Sequence, residues 1–442
     1  MIRHSSETAV ERNLQQGRQF RRADIRMNFA RLAVHDWHAM GNVDLDLSNR
    51  TTIITGANGS GKTSLLRILA MHAKWVAVDY KIPDPAPGES AAAKLLADTD
   101  YLRVGTLEYS NEHGQKDSTS ILSSSPGYIR GHLALQASKP VPSIFVSSTR
   151  SSFAYQPVDA TTISPQPDLT PAVALEDARA SQQRDLNGSP ASMAGAMKKT
   201  LFRWMVGAYG IKSGDRFLLR PLEQYRVYFE GFEAALKKAL PEQFKFANIE
   251  IAQNGEVVFA CKDGIERFIV EGASGGFSSL IETIWMLYLL DLNVAKGEEY
   301  TAIIDELENH LHPSVQRTIL PCLIDAFPRA RFIVSTHSPL VVSSVPDAYV
   351  YALRPDDTGT IHSVRLDFKE KARTAAQILD EVLGVSVTLP VWAEDELKEL
   401  VSKYANQPAT ANIFDNLRDD LRARGLEALA PEAIQGVLQK ND

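Results

Sequence analysis

The alternation of apolar and polar positions divides the first part of the chain into distinct stretches. After about 26 polar residues without a clear apolar face, "RMNFARLAVHDW" and "NVDLDL" alternate in the way of half-buried strands. The β-branched run "TTIITG" then leads into glycines and the apolar-periodic "SLLRILAMHA". This order predicts a strand, a Gly-rich turn and a helix, preceded by a polar N-terminal extension over residues 1–26.

The middle of the chain has a different pattern. Residues from about 79 to 190 are polar and interrupted by Pro, Gly and Ser, with plausible strands only at "YLRVGTLEYS" and "VPSIFVSS". Helical spacing follows from about 192 to 240 and is broken near Gly214 and Pro221. We therefore expect a loop-rich and helical insertion over residues 80–245.

The remaining chain predicts alternating strands and helices. In "IEIAQNGEVVFA", two alternating runs flank Asn254-Gly255, which is a strong hairpin signal. A long apolar helix follows "EGASGG", and then come the strand "TAIIDE", a helix over "PSVQRTILPCLIDAF" and the strand "RFIVSTHSP". The pattern predicts an α/β fold, with a main domain over residues 27–371 and a C-terminal helical region over 372–442.

Composition excludes several classes of protein. The chain has 442 residues, of which 44% are hydrophobic and 23% charged, and its formal net charge is -7. Such a charge gives no global attraction to nucleic acid, so any DNA binding would be local. Cys261 and Cys322 are too few and too far apart to suggest a disulfide framework or a zinc site.

Targeting signals are also missing from the pattern. The first residues contain no apolar core of a signal peptide, and the most apolar stretch, "LIETIWMLYLLDLNV", is interrupted by Glu282 and Asp291 and is too short to span a bilayer. We expect a cytoplasmic protein with no membrane partner.

One motif predicts nucleotide binding. Residues 56–63, "GANGSGKT", match G-x-x-x-x-G-K-[ST] between a strand and a helix, which is the context that a phosphate-binding loop requires. The glycines let backbone N–H groups turn toward a phosphate, and the helix N-terminus faces the same anion. Lys62 can reach the β- and γ-phosphates, and the Thr63 hydroxyl can ligate Mg²⁺. We predict ATP and Mg²⁺ as cofactors, bound by Gly56, Ala57, Asn58, Gly59, Ser60, Gly61, Lys62, Thr63 and Ser64.

A second strand ends in adjacent carboxylates. In "IIDELENHLHP", Asp305 and Glu306 follow two aliphatic residues, at the edge of a sheet where α/β proteins bind ligands. Taken alone, the stretch could be a solvated acidic loop. Together with the phosphate-binding loop, it predicts Asp305 on the metal side and Glu306 orienting the attacking water. For Glu308 we expect a structural or interface role.

Two further turns carry candidate residues. "ASGGF" precedes the long apolar helix, so Ser274, Gly275 and Gly276 could offer a hydroxyl and backbone amides to an anion, although such a turn is often only a turn. "RFIVSTHSP" ends in a polar turn whose His337 could donate to a γ-phosphate, whereas an isolated histidine there usually does nothing. Lys62, Glu306 and His337 are the predicted catalytic residues.

The order of these motifs resembles that of the ABC-type ATPases. In that family "GANGSGKT", "ASGGF", "TAIIDE", "ENHLHP" and "STHSP" correspond to Walker A, the signature, Walker B with the catalytic glutamate, the D-loop and the switch histidine. The chain looks like the RecF, OLD and SMC-like branch, and particularly like AAA-family ATPases of prokaryotic defence systems such as Septu. The likeness covers roughly residues 27–70 and 250–350, and Gln156 is a candidate for the Q-loop glutamine.

The resemblance implies a P-loop ABC-ATPase head, in which helices flank a mixed sheet, with a helical insertion and a helical C-terminal tail. It also implies a head-to-tail homodimer or higher homo-oligomer, in which Ser274 and Gly276 of one subunit close over the ATP of the other. The implied function is an ATP-driven switch in antiviral defence or DNA repair that controls an effector in trans, most plausibly a nuclease, with DNA as a further candidate ligand.

Two other functions remain compatible with an ATPase head. A transporter ATPase is one, but the long insertion between Walker A and the signature is unlike a compact transporter subunit. An OLD-like ATPase that acts directly on DNA is the other, and a nuclease of that type would carry a Toprim domain after the ATPase. "VWAEDELKEL" has acids but no following strands to build such a sheet. We therefore expect any DNA cutting to come from a partner.

Overall fold

A computed structural model describes most of the chain. The described residues are 26–75, 77–80, 101–124, 130–150, 153, 155–157, 169–186, 192–252, 255–367, 391–405 and 411–441. The predicted N-terminal extension, 1–26, lies outside them except for Arg26.

The strands of the described part are numbered along the chain. They are β1 (Asn28–Trp37), β2 (Met40–Asp46), β3 (Thr51–Gly56), β4 (Val78–Tyr80), β5 (Tyr101–Ser110), β6 (Lys116–Ser124), β7 (Arg130–Leu135), β8 (Ser143–Val146), β9 (Ile211–Ser213), β10 (Arg216–Leu219), β11 (Phe246–Ile251), β12 (Val257–Cys261), β13 (Glu266–Ile269), β14 (Tyr300–Ile304), β15 (Ala330–Thr336), β16 (Tyr349–Pro355) and β17 (Ile361–Arg365).

One large mixed sheet organises these strands. Its order is β4-β7-β6-β5-β1-β2-β17-β16-β3-β15-β14-β8. The five strands from β16 to β8 run parallel, whereas β4, β7, β6, β5, β1 and β2 form an antiparallel half. Because β3, β15 and β14 are parallel neighbours, their carboxyl ends meet at one edge of the sheet. The prediction of an α/β fold with a mixed sheet is confirmed.

The helices of the described part are numbered in the same way. They are α1 (Lys62–Ala70), α2 (Pro171–Leu186), α3 (Met193–Tyr209), α4 (Glu223–Ala239), α5 (Gly275–Asn293), α6 (Pro313–Gln316), α7 (Ile319–Ala326), α8 (Pro339–Val342), α9 (Val391–Ala405), α10 (Ala411–Ala423) and α11 (Ala430–Asn441). Among the described residues, no helix combines the length and the apolar character that crossing a membrane requires.

The main core lies between the sheet and α1. Leu65 and Leu69 of α1 are fully buried in the same cluster as Leu32 of β1, Val43 of β2 and Ile54 of β3. Burying a leucine side chain stabilises the fold by about 1.5–3 kcal/mol, so this packing fixes the helix that begins at the phosphate-binding loop.

A second set of contacts surrounds α5. Almost every residue of this helix from Phe277 to Leu290 is buried. Its Trp285 packs against Trp204 of α3 and Phe232 of α4, with ring centroids 5.6 and 4.9 Å apart. A helix that is apolar on all sides must be enclosed, and here the helices of the predicted insertion enclose it.

The helix predicted over "PSVQRTILPCLIDAF" is in fact two short helices, α6 and α7. The break falls at Arg317 and Thr318, four and three residues before Pro321. Proline lacks an N–H group and its ring clashes with the carbonyl four residues earlier, so it is accepted only in the first turn of the second helix.

The segment predicted as a loop-rich insertion, 80–245, contributes four strands to the large sheet. Two of them, β5 and β8, correspond to the predicted strands. The Ser- and Thr-rich β6 lacks a clear apolar run, yet it pairs with β5 from Lys116 to Ser124. Between α3 and α4, the break predicted near Gly214 and Pro221 is occupied by the short β9–β10 hairpin.

The chain divides into two compact units between positions 373 and 374. The second unit contains α9, α10 and α11, so the predicted helical C-terminal tail is confirmed, whereas its predicted start at about residue 372 lies outside the described residues. It has its own core, to which Leu400, Leu417, Leu421 and Val437 contribute fully buried side chains. The predicted hairpin at 249–260 is present as β11 and β12, although Asn254 in its turn lies outside the described residues.

Candidate active site

The phosphate-binding loop connects β3 to α1. Its glycines adopt backbone conformations that other residues rarely accept, with φ of 151° at Gly56, 80° at Gly59 and 89° at Gly61. A Cβ atom on Gly61 would also lie 2.2 Å from Cε of Met40. Glycine therefore fits these positions, where a side chain would be strained or would clash.

Lys62 and Ser60 place polar groups inside this loop. Lys62 is 5% exposed, and its Nζ donates to the carbonyl oxygens of Gly56 and Ala57 at 3.0 Å each. Burial lowers the pKa of Lys62, and the nearby carboxylates oppose that shift. Ser60 Oγ is buried without a hydrogen-bond partner among the described residues. A cation and an orphan hydroxyl in a Gly-rich loop at a helix N-terminus suit a phosphate group.

Thr63 and Asp305 meet at the end of the loop. The Thr63 hydroxyl donates to Asp305 Oδ2 at 2.9 Å. The other carboxylate oxygen of Asp305 accepts a hydrogen bond from Ser335 Oγ at 2.5 Å. Asp305 is 1% exposed, so these hydroxyl contacts satisfy a buried charge. A hydroxyl next to a carboxylate is the oxygen-ligand set that Mg²⁺ prefers.

Glu306 follows in an uncommon conformation. Its φ is 47°, in the left-handed region, and its N–H donates to Ser335 Oγ at 2.8 Å. The carboxylate Oε1 lies 3.9 Å from Nε2 of His337, and both side chains are about one-third exposed. A non-glycine residue held at positive φ costs of the order of 1 kcal/mol or more and often marks a functional position.

The electrostatic surroundings keep His337 neutral. Burial and the neighbouring Lys62 ammonium lower its pKa, and the three carboxylates Glu308, Glu306 and Asp305 only partly offset this. At neutral pH the ring therefore has one N–H donor and one acceptor nitrogen.

Glu308 anchors the loop after β15. One carboxylate oxygen accepts from Thr336 Oγ1 at 2.7 Å, and the other accepts from the backbone N–H of His337. Both contacts fix the backbone that carries His337. This geometry supports the predicted structural role of Glu308.

The signature residues lie at the start of α5. Ser274 caps the helix by accepting a hydrogen bond from the Phe277 N–H at 3.4 Å, and it is exposed together with Gly275. A Cβ atom on Gly276 would lie 2.7 Å from the carbonyl oxygen of His310, so the helix start packs closely on the D-loop. Within the described part of the chain, no hydrogen bond joins Ser274 to residues 56–64. The structure thus brings Lys62, Thr63, Asp305, Glu306 and His337 together but leaves the signature outside that cluster.

Gln156, the candidate Q-loop glutamine, contacts the residues that precede the signature. Its backbone N–H donates to Glu271 Oε1 at 3.4 Å, and its backbone carbonyl oxygen accepts from Lys198 Nζ at 2.7 Å. Lys198 Nζ also contacts Glu271 at 2.7 Å, three residues before Ser274.

Sequence reasoning missed several residues of the site. Ser335 Oγ donates to the Asp305 carboxylate and accepts from the Glu306 N–H. The only sequence feature that could have indicated this role is the hydroxyl residue at the start of "STHSP". A pocket beside Gly59 and Ser64 is lined by Trp37, His38 and Arg67, which come from the β1–β2 turn and α1. Nothing local in "HDWHAM" indicated that this turn reaches the loop.

Two segments of the chain are similar to known ATPase-domain families. Residues 31–75 match a family described as "AAA domain", and residues 263–343 match one described as "AAA domain, putative AbiEii toxin, Type IV TA system". These two segments contain the phosphate-binding loop and every motif from the signature to His337.

Curated relatives match the chain over shorter stretches. "Retron Vc95 probable ATPase" of Vibrio cholerae is 32% identical over 23% of this chain and 19% of its own length, and "Retron Ec83 probable ATPase" of Escherichia coli is 30% identical over 36% and 29%. "Septu protein PtuA" of Bacillus thuringiensis is 26% identical over 35% of this chain and 41% of its own length. The matched stretches thus span less than half of each of these relatives.

Solved structures include an SMC head bound to the C-winged helix domain of ScpA, with a TM-score of 0.42, 14% identity and coverage of 77% of this chain and 97% of that one. Another is the SMC head domain from Thermotoga maritima, with a TM-score of 0.37, 12% identity and coverage of 77% and 100%.

The topology and the site define a class. A parallel half-sheet with a phosphate-binding loop after β3 and two acids after β14 is the arrangement of a P-loop fold. Its matched segments are similar to AAA-family domains and, over part of the chain, to the retron and Septu ATPases.

Proposed function

We propose that the chain is a Mg²⁺-dependent ATPase that works as a molecular switch. One observation carries this proposal: Thr63 of the phosphate-binding loop donates to Asp305 at the end of β14, 2.9 Å away, beside Lys62 and Glu306. Four groups with complementary roles in phosphoryl transfer thus converge at one edge of the sheet.

Each of these groups has a defined role in the proposed reaction. The loop amides and the Lys62 ammonium bind the phosphates, while Thr63 and Asp305 hold Mg²⁺. Held there, Mg²⁺ would supply positive charge beside the phosphates. Glu306 orients and polarises the attacking water, and neutral His337 donates a hydrogen bond toward the γ-phosphate. Trp37 and His38 line the adjoining pocket, which is placed to hold the base.

Hydrolysis tests this proposal directly. The purified chain should convert ATP to ADP and phosphate slowly with Mg²⁺, and removal of the metal with a chelator should stop the reaction. Lys62→Ala should weaken nucleotide binding at least about tenfold, since a charged hydrogen bond is lost. Glu306→Gln should bind ATP and trap it. Wild-type turnover by Glu306→Gln would show that another group activates the water.

The exposed signature supports dimerisation around ATP. Ser274 and Gly275 present a hydroxyl and helix N-terminal amides to solvent rather than to the P-loop of their own chain. In a head-to-tail homodimer, these groups would complete the nucleotide site of the second subunit. ATP would then favour the closed state and hydrolysis would release it.

An exposed apolar surface supports control of a partner protein. The β9–β10 hairpin and the adjoining helix ends expose large apolar side chains, which we call the hairpin patch: Tyr209, Ile211, Phe217, Leu218, Leu219, Leu222 and Val227. Contiguous apolar patches on a head often mark an interaction site. We propose that an effector nuclease docks on the hairpin patch. The likeness to the Septu and retron ATPases supports a role of this cytoplasmic complex in antiviral defence.

A further inference from the structure

Arg150 contacts the two functional acids through their backbone. It follows β8, the parallel neighbour of β14. Its Nη1 donates to the carbonyl oxygen of Asp305 and its Nη2 to that of Glu306, each at 3.2 Å. One guanidinium therefore holds two successive carbonyls of the loop that carries the metal-side and water-activating carboxylates.

The same side chain reaches the signature helix. Its Nε donates to Ser279 Oγ at 3.0 Å, and its Nη1 also contacts the carbonyl oxygen of Ser147. Ser279 is buried in α5, five residues after Ser274, which corresponds to about 7.5 Å along the helix axis. Arg150 thus connects the helix that begins at the signature to the loop that carries Glu306.

Charge and shape both favour arginine at this position. Burial lowers the pKa of Arg150, and the carboxylates of Glu282, Asp305, Glu308 and Glu306 oppose that shift. A guanidinium remains protonated in proteins, and its planar fork can serve several acceptors at once. A lysine would keep the charge but not the fork.

Arg150 contacts a residue with an uncommon backbone conformation. With φ of 47°, Glu306 occupies a conformation that L-residues adopt only when their surroundings impose it. The N–H of Glu306 donates to Ser335, and its carbonyl oxygen accepts from Arg150 at 3.2 Å and from the backbone N–H of Asn309 at 3.0 Å. Arg150 is the side chain among these contacts that also reaches α5, so it ties the conformation of Glu306 to that helix.

We propose that Arg150 is a positioning residue for ATP hydrolysis, which fixes the backbone of Glu306 and couples it to the signature helix of the same subunit. This inference rests on the function proposed above. It has a consequence for the dimer: when Ser274 engages a nucleotide held by a second subunit, a displacement of α5 reaches Glu306 of its own subunit through Arg150. The two sites of the dimer are therefore coupled.

The test is Arg150→Lys in the full chain, measured by steady-state hydrolysis and by calorimetric titration with ADP. We expect kcat to fall at least about tenfold, because small displacements of a catalytic group have large effects on rate. The Kd for ADP should stay within about twofold, since Lys62 and the loop are untouched. Arg179→Lys is the matched control: Arg179 donates to the carbonyl of Ser143 at the other end of β8 and should leave kcat unchanged.

A second comparison separates positioning from general damage. In the Glu306→Gln background, Arg150→Lys should cause no further loss of residual hydrolysis, because residues that act as a unit have non-additive effects. The proposal would be overturned if Arg150→Lys left kcat unchanged or changed only KM. It would also be overturned if the double variant lost activity by the product of the two single-variant factors.

Two outcomes need their own readings. If Arg150→Lys does not fold, Ser279→Ala tests the contact between Arg150 and α5 instead. A lowered kcat with an unchanged Kd for ADP supports the proposal, and a wild-type kcat overturns it. If the wild-type chain does not hydrolyse ATP, the proposed function fails and this inference fails with it. Hydrolysis that Arg150→Lys leaves intact contradicts only the role of Arg150.

Discussion

The Thr63 hydroxyl donates a hydrogen bond to the Asp305 carboxylate over 2.9 Å, although 242 positions separate the two residues in the chain. Thr63 lies in the first turn of α1 after β3, and Asp305 follows β14. In the sheet, β15 separates these two strands, and its Ser335 donates to the other oxygen of Asp305. The contact therefore depends on the order β3-β15-β14.

The first prediction concerns this pair. Asp305→Asn removes the negative charge that we expect to hold Mg²⁺ but keeps an acceptor for Thr63. The Mg²⁺ concentration needed for half-maximal hydrolysis should rise at least about tenfold, because a metal-bound carboxylate becomes a neutral amide. Titration of activity with MgCl₂ measures this shift. Asp325→Asn, on α7, is the control. An unchanged Mg²⁺ dependence would place the metal elsewhere.

The second prediction concerns Ser274. Ser274→Arg should block ATP-driven dimerisation without blocking ATP binding, because the bulky cation would occupy the place of a partner's nucleotide. Light scattering in the Glu306→Gln background, with and without ATP, measures the dimer fraction. Ser48→Arg, another exposed serine, should have no effect. Equal dimer content with and without ATP would argue instead for a constitutive dimer.

The third prediction concerns the hairpin patch, in which Leu218 is 63% exposed. Leu218→Asp should leave ATP hydrolysis unchanged and weaken capture of the product of a neighbouring gene at least about tenfold, since an apolar contact residue becomes charged. Pull-down with that purified protein measures the effect. Ile265→Asp, at the more exposed Ile265, is the control.

A functional assay accompanies the hairpin experiment. The chain alone should not cut plasmid DNA with ATP and Mg²⁺ or Mn²⁺, whereas the complex with its partner should. ATPase-independent cutting by the isolated chain would contradict control of a separate effector.

The fourth prediction concerns pH and His72. Burial lowers the pKa of His72 to about 4. The buried ring contacts the Leu69 carbonyl oxygen at 3.2 Å and the Tyr109 hydroxyl at 3.0 Å. The unfolded state therefore binds more protons than the folded state between pH 6.5 and 4. The contribution of His72 to stability is complete above pH 6.5 and is lost as the pH falls toward 4, by up to about 3 kcal/mol.

Urea unfolding at several pH values tests this expectation. His72→Gln keeps a donor and an acceptor but does not titrate, so it should flatten the decline in stability between pH 6.5 and 4. His113→Gln, which replaces an exposed histidine, should leave this decline unchanged. A decline of equal steepness in His72→Gln and the wild type would assign the pH dependence to other groups.

The strands and helices that carry the motifs were predictable because their signals are local. "TTIITG" is a strand followed by a glycine turn and a helix that are contiguous, and "TAIIDE" and "RFIVSTHSP" are apolar runs bounded by polar turns. The Ser- and Thr-rich β6 was not predictable in this way, because its formation depends on pairing with β5. The break before Pro321 was present in the sequence, but the apolar spacing around it favoured one continuous helix.

By itself, the sequence determined the chemistry of each motif: a phosphate-binding loop at 56–63, two acids after a strand, and a serine at the start of a helix. Only the tertiary structure decided which of these meet. The strand order places Thr63 in contact with Asp305, and Ser335 and Arg150 form hydrogen bonds with the residues that carry the two acids. Ser274 is exposed at the start of α5. The physical reason is that periodicity reports which face of an element is buried, whereas contacts at a sheet edge depend on which distant strands become neighbours.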